Sequence, residues 1–174
     1  MGANSEVIDK ELTREGLGER YRDLCADPRF ANLPGKIELD MWGRILMSPA
    51  SNYHGMLQAR LGQRLAPLGG QAVSEASVVT SIGLLVADVA WASPDFVRAH
   101  VTETPFTQAP ELCIEIASPS NSLKELREKV DAYLAAGANE AWIVFPQSKR
   151  FEFFGKGGPL QRSAFGVELT GLFD

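Results

Sequence analysis

The sequence predicts an α/β fold in which helices pack on a mixed β-sheet. Three observations predict it. Strand-like runs outnumber helical ones along the chain. A helix-patterned stretch over residues 122–136 stands between two apolar runs that read as adjacent strands, and such a βαβ unit requires a parallel pair. The chain has 174 residues, 45% of them hydrophobic and 22% charged, the size and balance of one globular domain.

The first thirty residues read as a charged helix with Leu12, Leu17, Tyr21 and Leu24 as its apolar positions. Asp27-Pro28 and Pro34-Gly35 then punctuate the chain, because proline disfavours helix at the residue before it. Lys36 to Met47 forms two short alternating runs joined around Asp40-Met41-Trp42-Gly43, the pattern of a hairpin. Met56, Leu57, Leu61 and Leu65 recur at helical spacing in a helix from about Tyr53 to Leu68, ended by Gly69-Gly70. Ala72–Thr80, Leu84–Ala92 and Glu111–Ala117 read as strands, with a loop carrying a short helical turn between the last two. Ser122-Leu123-Lys124-Glu125 matches a capping box. The helix it opens carries Leu123, Leu126, Val130, Tyr133 and Leu134 on one stripe and stops at Gly137. Two further strands, Ala141–Phe145 and Arg150–Phe154, precede a glycine-rich tail that ends in an apolar segment.

With 22 acidic and 17 basic side chains the net charge is −5. That argues against a protein that coats nucleic acid by matching phosphates with Lys and Arg. It leaves room for a nuclease, whose metal site needs carboxylates. The two cysteines, Cys25 and Cys113, form no Cys-x-x-Cys pair, so zinc and redox motifs are excluded, and Cys113 reads as a small buried hydrophobe. Met1–Lys10 does not read as a signal peptide, and no apolar stretch approaches the ~18 residues needed to span a bilayer. A cytoplasmic chain with no membrane partner is expected.

The informative feature is where acids interrupt apolar strands. Asp88 stands inside Leu84-Leu85-Val86-Ala87-Asp88-Val89-Ala90-Trp91, and Glu115 inside Leu112-Cys113-Ile114-Glu115-Ile116-Ala117. Side chains alternate across a strand, so Cys113, Glu115 and Ala117 share one face and Leu112, Ile114 and Ile116 the other. An unpartnered buried carboxylate costs several kcal/mol or neutralises. Two on neighbouring strands call for a compensating cation or base, and a hard divalent ion such as Mg²⁺ (or Mn²⁺) matches carboxylate oxygens. Lys129 falls beside Leu126 and Tyr133 at the border of its helix's apolar stripe, from where its ammonium can reach the carboxylates. Arg127 lies on the opposite flank.

These residues carry a family resemblance. Ile37-Glu38-Leu39 through Met47-Ser48-Pro49, His54-Gly55, Val86-Ala87-Asp88-Val89-Ala90-Trp91 and Glu115-Ile116-Ala117-Ser118-Pro119-Ser120-Asn121 occur in order. Lys129, Tyr133, Ala136-Gly137 and Glu140-Ala141-Trp142 follow. The chain resembles the bacterial Uma-type family of restriction endonucleases, of the PD-(D/E)XK nuclease-like superfamily, over roughly Ile37 to Phe154. The resemblance implies a restriction-endonuclease-like core over 36–155 within a single domain, between an N-terminal helical extension (1–35) and a C-terminal tail (156–174). It implies that Asp88 and Glu115 bind the metal, helped by the Ile116 carbonyl, and that Lys129 assists. Two departures stand out: Ala87 replaces the superfamily's proline, and Ala117 its lysine after the Glu-x pair.

The expectation is therefore a metal-dependent phosphodiester hydrolase acting on nucleic acid, DNA first, with Asp88, Glu115 and Lys129 in catalytic roles. A C2 homodimer is expected, since a duplex cut needs two sites. The competing reading is a nuclease-like binding or structural module without activity, favoured by the negative charge and the lack of a basic cluster. A hydrolase using Ser118 or Ser120 is a third, with no histidine–acid pair placed to activate either serine. Glu75 reads as a solvent-facing acid on the face of Val73 and Val79, with an outside chance of joining the metal site. His54 reads as a helix-start or surface residue with a minority claim on the site, and Trp91 and Trp142 read as core.

Overall fold

The computed structural model describes residues 10–31 and 35–174. The sequence readings that fall on Met1–Asp9 and on Pro34 lie outside the described residues. Helix α1 (Arg14–Ala26) is capped by the Thr13 side chain, and its Leu17 is buried against the sheet with Leu12, Tyr21 and Leu24 beside it. The hairpin forms as β1 (Lys36–Asp40) and β2 (Ile45–Ser48), paired antiparallel. Helix α2 (Asn52–Leu65) buries Leu57, Leu61 and Leu65 and runs into a 3₁₀ turn over Ala66–Leu68, as the spacing predicts.

Long strands β3 (Gln71–Thr80) and β4 (Gly83–Ala92) then pair antiparallel. The loop after β4 carries the expected helical turn, α3 (Pro94–His100). Strand β5 (Leu112–Ile116) is followed by α4 (Leu123–Ala135), whose capping box is complete: the Ser122 side chain accepts from Glu125 N–H and the Glu125 carboxylate accepts from Ser122 N–H. The chain closes with β6 (Glu140–Phe145), β7 (Arg150–Gly155) and the short β8 (Gly158–Leu160). β5 and β6 pair in parallel and the other ladders between these strands are antiparallel, so the sheet is mixed and flanked by helices, as expected.

The sheet order is β2-β1-β4-β5-β6-β7-β8, with β3 on the other edge of β4. β1 meets β4 only at Leu39–Leu84 and Asp40–Gly83, whereas β5 meets the same edge only at Val89–Ile114, Ala90–Cys113 and Trp91–Leu112. Between these contacts the sheet forks. Residues 85–88 of β4 face a notch with β1 on one side and β5 on the other.

A second irregularity sits at the same level. Leu85, Ala87 and Ala90 pack in the core under α4, while Val89 joins the opposite core around α2. In a regular strand Ala87 and Val89 would share a face. Strand β3 slips in step: Val73, Ala76 and Val78 lie on the α4 side, and Ala72 and Val79 on the other. The slip is centred on Glu75, whose φ is +55°, and no ladder pair joins Glu75 to Asp88. The orphaned Asp88 carbonyl accepts instead from the Gln58 amide of α2 at 3.0 Å. The reading that put Glu75 on the face of Val73 and Val79 is thus corrected. Those valines lie on opposite faces, and Glu75, exposed, marks the switch.

The tail after β8 is anchored. The buried Glu140 carboxylate accepts from Trp142 Nε1, Ser163 Oγ and Ala164 N–H at 2.7–2.8 Å. Leu172 is buried beside α2, whose Arg60 and Arg64 donate to the carbonyls of Leu172 and Thr170. Trp142 is core and Trp91 half-buried, its indole N–H donating to Gly69 O. Among the described residues no helix is long and apolar enough to cross a membrane.

Candidate active site

The fork gathers Asp88, Glu115 and Lys129, the three residues singled out in the sequence, and adds Lys36, Glu38, His54 and Tyr133. Asp88 is 1% exposed and Glu115 3% exposed. Freed from the face alternation by the slip in β4, the Asp88 carboxylate turns into the notch. There its Oδ2 accepts from Ile116 N–H at 2.7 Å. Ala117 donates to Val144 O across the β6 ladder, so the backbone groups of Ile116, one residue earlier, face the fork.

Side chains of β1 fill the gap that a continuous strand would occupy. Glu38 Oε1 accepts from Val86 N–H at 2.8 Å, and Lys36 Nζ donates to Val86 O at 2.8 Å. The same ammonium lies 2.9 Å from Asp88 Oδ1 and 3.4 Å from Glu115 Oε2. Lys129, one side of α4, reaches both oxygens of Glu38 at 2.8 Å and comes within 3.5 Å of Glu115. On the other flank Arg127 stacks over Phe154 and pairs with Glu152, away from the fork. Tyr133 is wholly buried, and its hydroxyl donates to Glu115 Oε1 at 2.7 Å. His54, in the first turn of α2, places Nε2 3.2 Å from Asp88 Oδ1.

Electrostatics follow the geometry. Burial would push the Asp88 carboxyl up, yet the His54 hydrogen bond, the Lys36 charge and the Ile116 N–H together hold it at about 2. Burial dominates at Glu115 and drives its carboxyl up against the pull of Lys36 and Lys129. Burial also works against the Lys36 ammonium, but Glu115, Asp88 and Glu38 outweigh it and raise its pKa, so the side chain stays charged. The hydrogen bond to Asp88 raises the pKa of His54 despite partial burial. Burial first, then Glu115, keeps the Tyr133 phenol protonated.

A cavity of about 40 Å³, lined by Lys36, His54, Asp88, Glu115, Ile116 and Lys129 among others, opens over these groups. It adjoins a larger one of about 430 Å³ bounded by Tyr53, Leu57, Pro119 and Pro146, and the two share Pro49, His54, Ile116 and Ser118. Among the described residues no three of His, Cys, Asp and Glu form a protein-only metal cage. Mg²⁺ needs none, since it binds through one or two carboxylates and keeps several waters. Two acid groups that already converge on one cation, with the Ile116 backbone turned toward them, are a donor set that fits such an ion. Ser118 bonds Asn121 and Ser120 in the turn before α4. Glu75 lines the rim of the smaller cavity and bonds Gln58.

Lys36 and Glu38 were not singled out from the sequence. Lys-Ile-Glu-Leu-Asp reads as an ordinary half-exposed strand, and only the fork buries its polar residues. The signal present was their i, i+2 spacing, which puts both on one face.

A mixed sheet that forks between strands, with helices on both faces, is a restriction-endonuclease-like fold. The model of the Uma2 family, described as "Putative restriction endonuclease", matches residues 19–171, and the chain belongs to that family. A crystal structure titled as a putative nuclease belonging to DUF820, from Anabaena variabilis ATCC 29413, shares the fold. It is similar with a TM-score of 0.60 over 83% of this chain and 94% of its own, at 18% identity. No curated protein matches the chain.

Proposed function

We propose that the chain is a divalent-metal-dependent nuclease that hydrolyses phosphodiester bonds, with DNA as substrate. The observation that carries this reading is the convergence of two buried carboxylates from different strands on one cation position, 2.9 Å from Asp88 and 3.4 Å from Glu115. In this reading Asp88 and Glu115 hold Mg²⁺ or Mn²⁺ with help from the Ile116 carbonyl. A metal bound there polarises phosphate and lowers the pKa of water. Asp88 supplies a full negative charge over the whole neutral range, because its carboxyl is held at about 2. Ile116 N–H and His54 fix the direction of its oxygens, and the Tyr133 hydroxyl does the same for Glu115. Lys129, steered by both oxygens of Glu38, offers its ammonium to the attacking water or to the charge that develops on phosphate. A double-strand cut by this one-site chain would use a C2 homodimer.

The test is cleavage of a panel of duplex and single-stranded DNA by the purified chain. The expected result is strand scission with Mg²⁺ or Mn²⁺ that disappears with chelator and in Glu115→Ala. Equal cleavage by wild type and Glu115→Ala contradicts the reading.

One observation favours a second reading, an inactive nuclease-like module. Lys36 already bridges the acid pair, with Lys129 beside Glu115 and Glu38, so the cluster is a hydrogen-bonded ion-pair network without metal. Titration with Mg²⁺ under a thermal melt separates the two, because a ligand that binds only the folded state raises the Tm. No rise at millimolar Mg²⁺ or Mn²⁺ favours the module.

A further inference from the structure

Lys36 is the unusual member of the cluster. Its side chain is 11% exposed, and its ammonium lies within 4 Å of three carboxylates: Asp88 at 2.9 Å, Glu115 at 3.4 Å and Glu38 at 3.9 Å. It makes a further bond to the Val86 carbonyl at 2.8 Å. Lys129 is engaged differently. Both of its short contacts go to Glu38, and it approaches Glu115 only at 3.5 Å. Of the two lysines, Lys36 alone sits between the acids proposed to hold metal, on the oxygens a divalent ion would use.

We propose that Lys36 is the resident counter-ion of the Asp88–Glu115 pair, and that a divalent cation enters the site by displacing the Lys36 ammonium from those oxygens. This rests on the nuclease reading and adds a residue to it that sets cation specificity. Two carboxylates buried side by side without a positive charge would repel or neutralise. Lys36 supplies that charge and holds both carboxylates in place before metal arrives. A tethered single charge is also a filter. A free monovalent ion brings no more charge than the ammonium it would replace, and it lacks the ammonium's directed bonds. A divalent ion doubles the attraction to both carboxylates. Displacement is physically accessible because the Lys36 side chain borders the open cavity and its stem is flexible. The metal-free protein is therefore preorganised, and its affinity for metal is lowered by the cost of moving Lys36.

Two measurements test this. In the first, Mn²⁺ binding is followed by calorimetry for wild type, Lys36→Met and Lys129→Met, each folded by circular dichroism. Both substitutions remove one charge near Glu115, so a general field effect would tighten both alike. Displacement predicts that Lys36→Met binds Mn²⁺ at least about ten-fold tighter, while Lys129→Met changes by less than about three-fold. In the second, wild type is acetylated with acetic anhydride with and without saturating Mn²⁺, and lysine labelling is read by mass spectrometry. Lys36 is expected to be protected without metal and labelled several-fold faster with it, while Lys129 labelling stays level. This second readout needs no variant, so it stands even if Lys36→Met fails to fold.

If wild type binds Mn²⁺ and cleaves DNA while neither Lys36→Met affinity nor Lys36 labelling changes, the displacement is refuted and the nuclease reading survives. If neither wild type nor Lys36→Met binds Mn²⁺, both fail. Binding by Lys36→Met alone supports displacement in its strongest form.

Discussion

Glu38 is the residue through which the fork can be tested without any assay of activity. Its Oε1 accepts from Val86 N–H, standing in for the missing ladder partner, and both its oxygens hold Lys129 at 2.8 Å. Glu38 is 5% exposed, so neither bond is open to replacement by bulk water. Glu38→Ala leaves a buried N–H unpaired, which costs about 1–3 kcal/mol. It also strips a largely buried lysine of its main partner, a loss of about 3–5 kcal/mol for a broken buried pair. The two losses share one side chain and overlap, so the expected destabilisation is about 4 kcal/mol. For a chain of this size that is a fall in Tm of about 8–16 °C. Glu38→Gln keeps an acceptor for Val86 and loses only the charge toward Lys129, so it should cost about half as much. Urea denaturation of the three proteins at neutral pH reads these values directly. A Glu38→Ala variant within about 1 kcal/mol of wild type, or a Gln variant as damaged as Ala, would refute the view that β1 side chains close the fork.

Two further outcomes follow from the same geometry. The Asp88 carboxyl is held at about 2, below its ordinary 3.8, so the stability it contributes is present above 3.8 and is lost as pH falls toward 2. The contribution is about 2 kcal/mol. Urea midpoints for wild type and Asp88→Asn between pH 5 and pH 2.5 should show wild type losing that increment on acidification; a difference between them that is independent of pH would contradict it. Glu75 holds a left-handed φ of +55° with its side chain exposed. Removing the Cβ relieves about 1–2 kcal/mol of strain and restores part of it as chain entropy, so Glu75→Gly should gain about 0.5–1 kcal/mol. Thermal melts decide this, and a loss of stability would count against strain at that position.

What the sequence revealed and what it hid divide along physical lines. Glu115 was legible because an acid within Leu-Cys-Ile-Glu-Ile has no solvent face to occupy, and all five of these residues are buried. Lys129 was legible because helical spacing is rigid, so a lysine bordering the stripe of Leu126 and Tyr133 must lie near the sheet. The capping box and the βαβ crossover were local patterns, and both form. The fork was not legible, since it depends on β1 and β5 sharing one edge of β4, a long-range pairing with no local mark. Hence no local pattern marks Lys36 or Glu38 as members of the cluster. The slip at Glu75 and Asp88 was hidden too, because strict alternation was assumed through a strand that breaks it. His54 entered through tertiary packing of α2, which aims the first-turn side chain at Asp88. The anchoring of the tail was hidden too, because Glu140 fastens it through Ser163 and Ala164, contacts that only the fold brings together.

The most direct measurement is an anomalous-scattering map from crystals of the chain soaked in Mn²⁺. The account predicts a single strong peak within coordinating distance of both Asp88 and Glu115, with the Lys36 ammonium moved off their oxygens. A saturating soak that leaves Lys36 in place and shows no peak between the two carboxylates would contradict it.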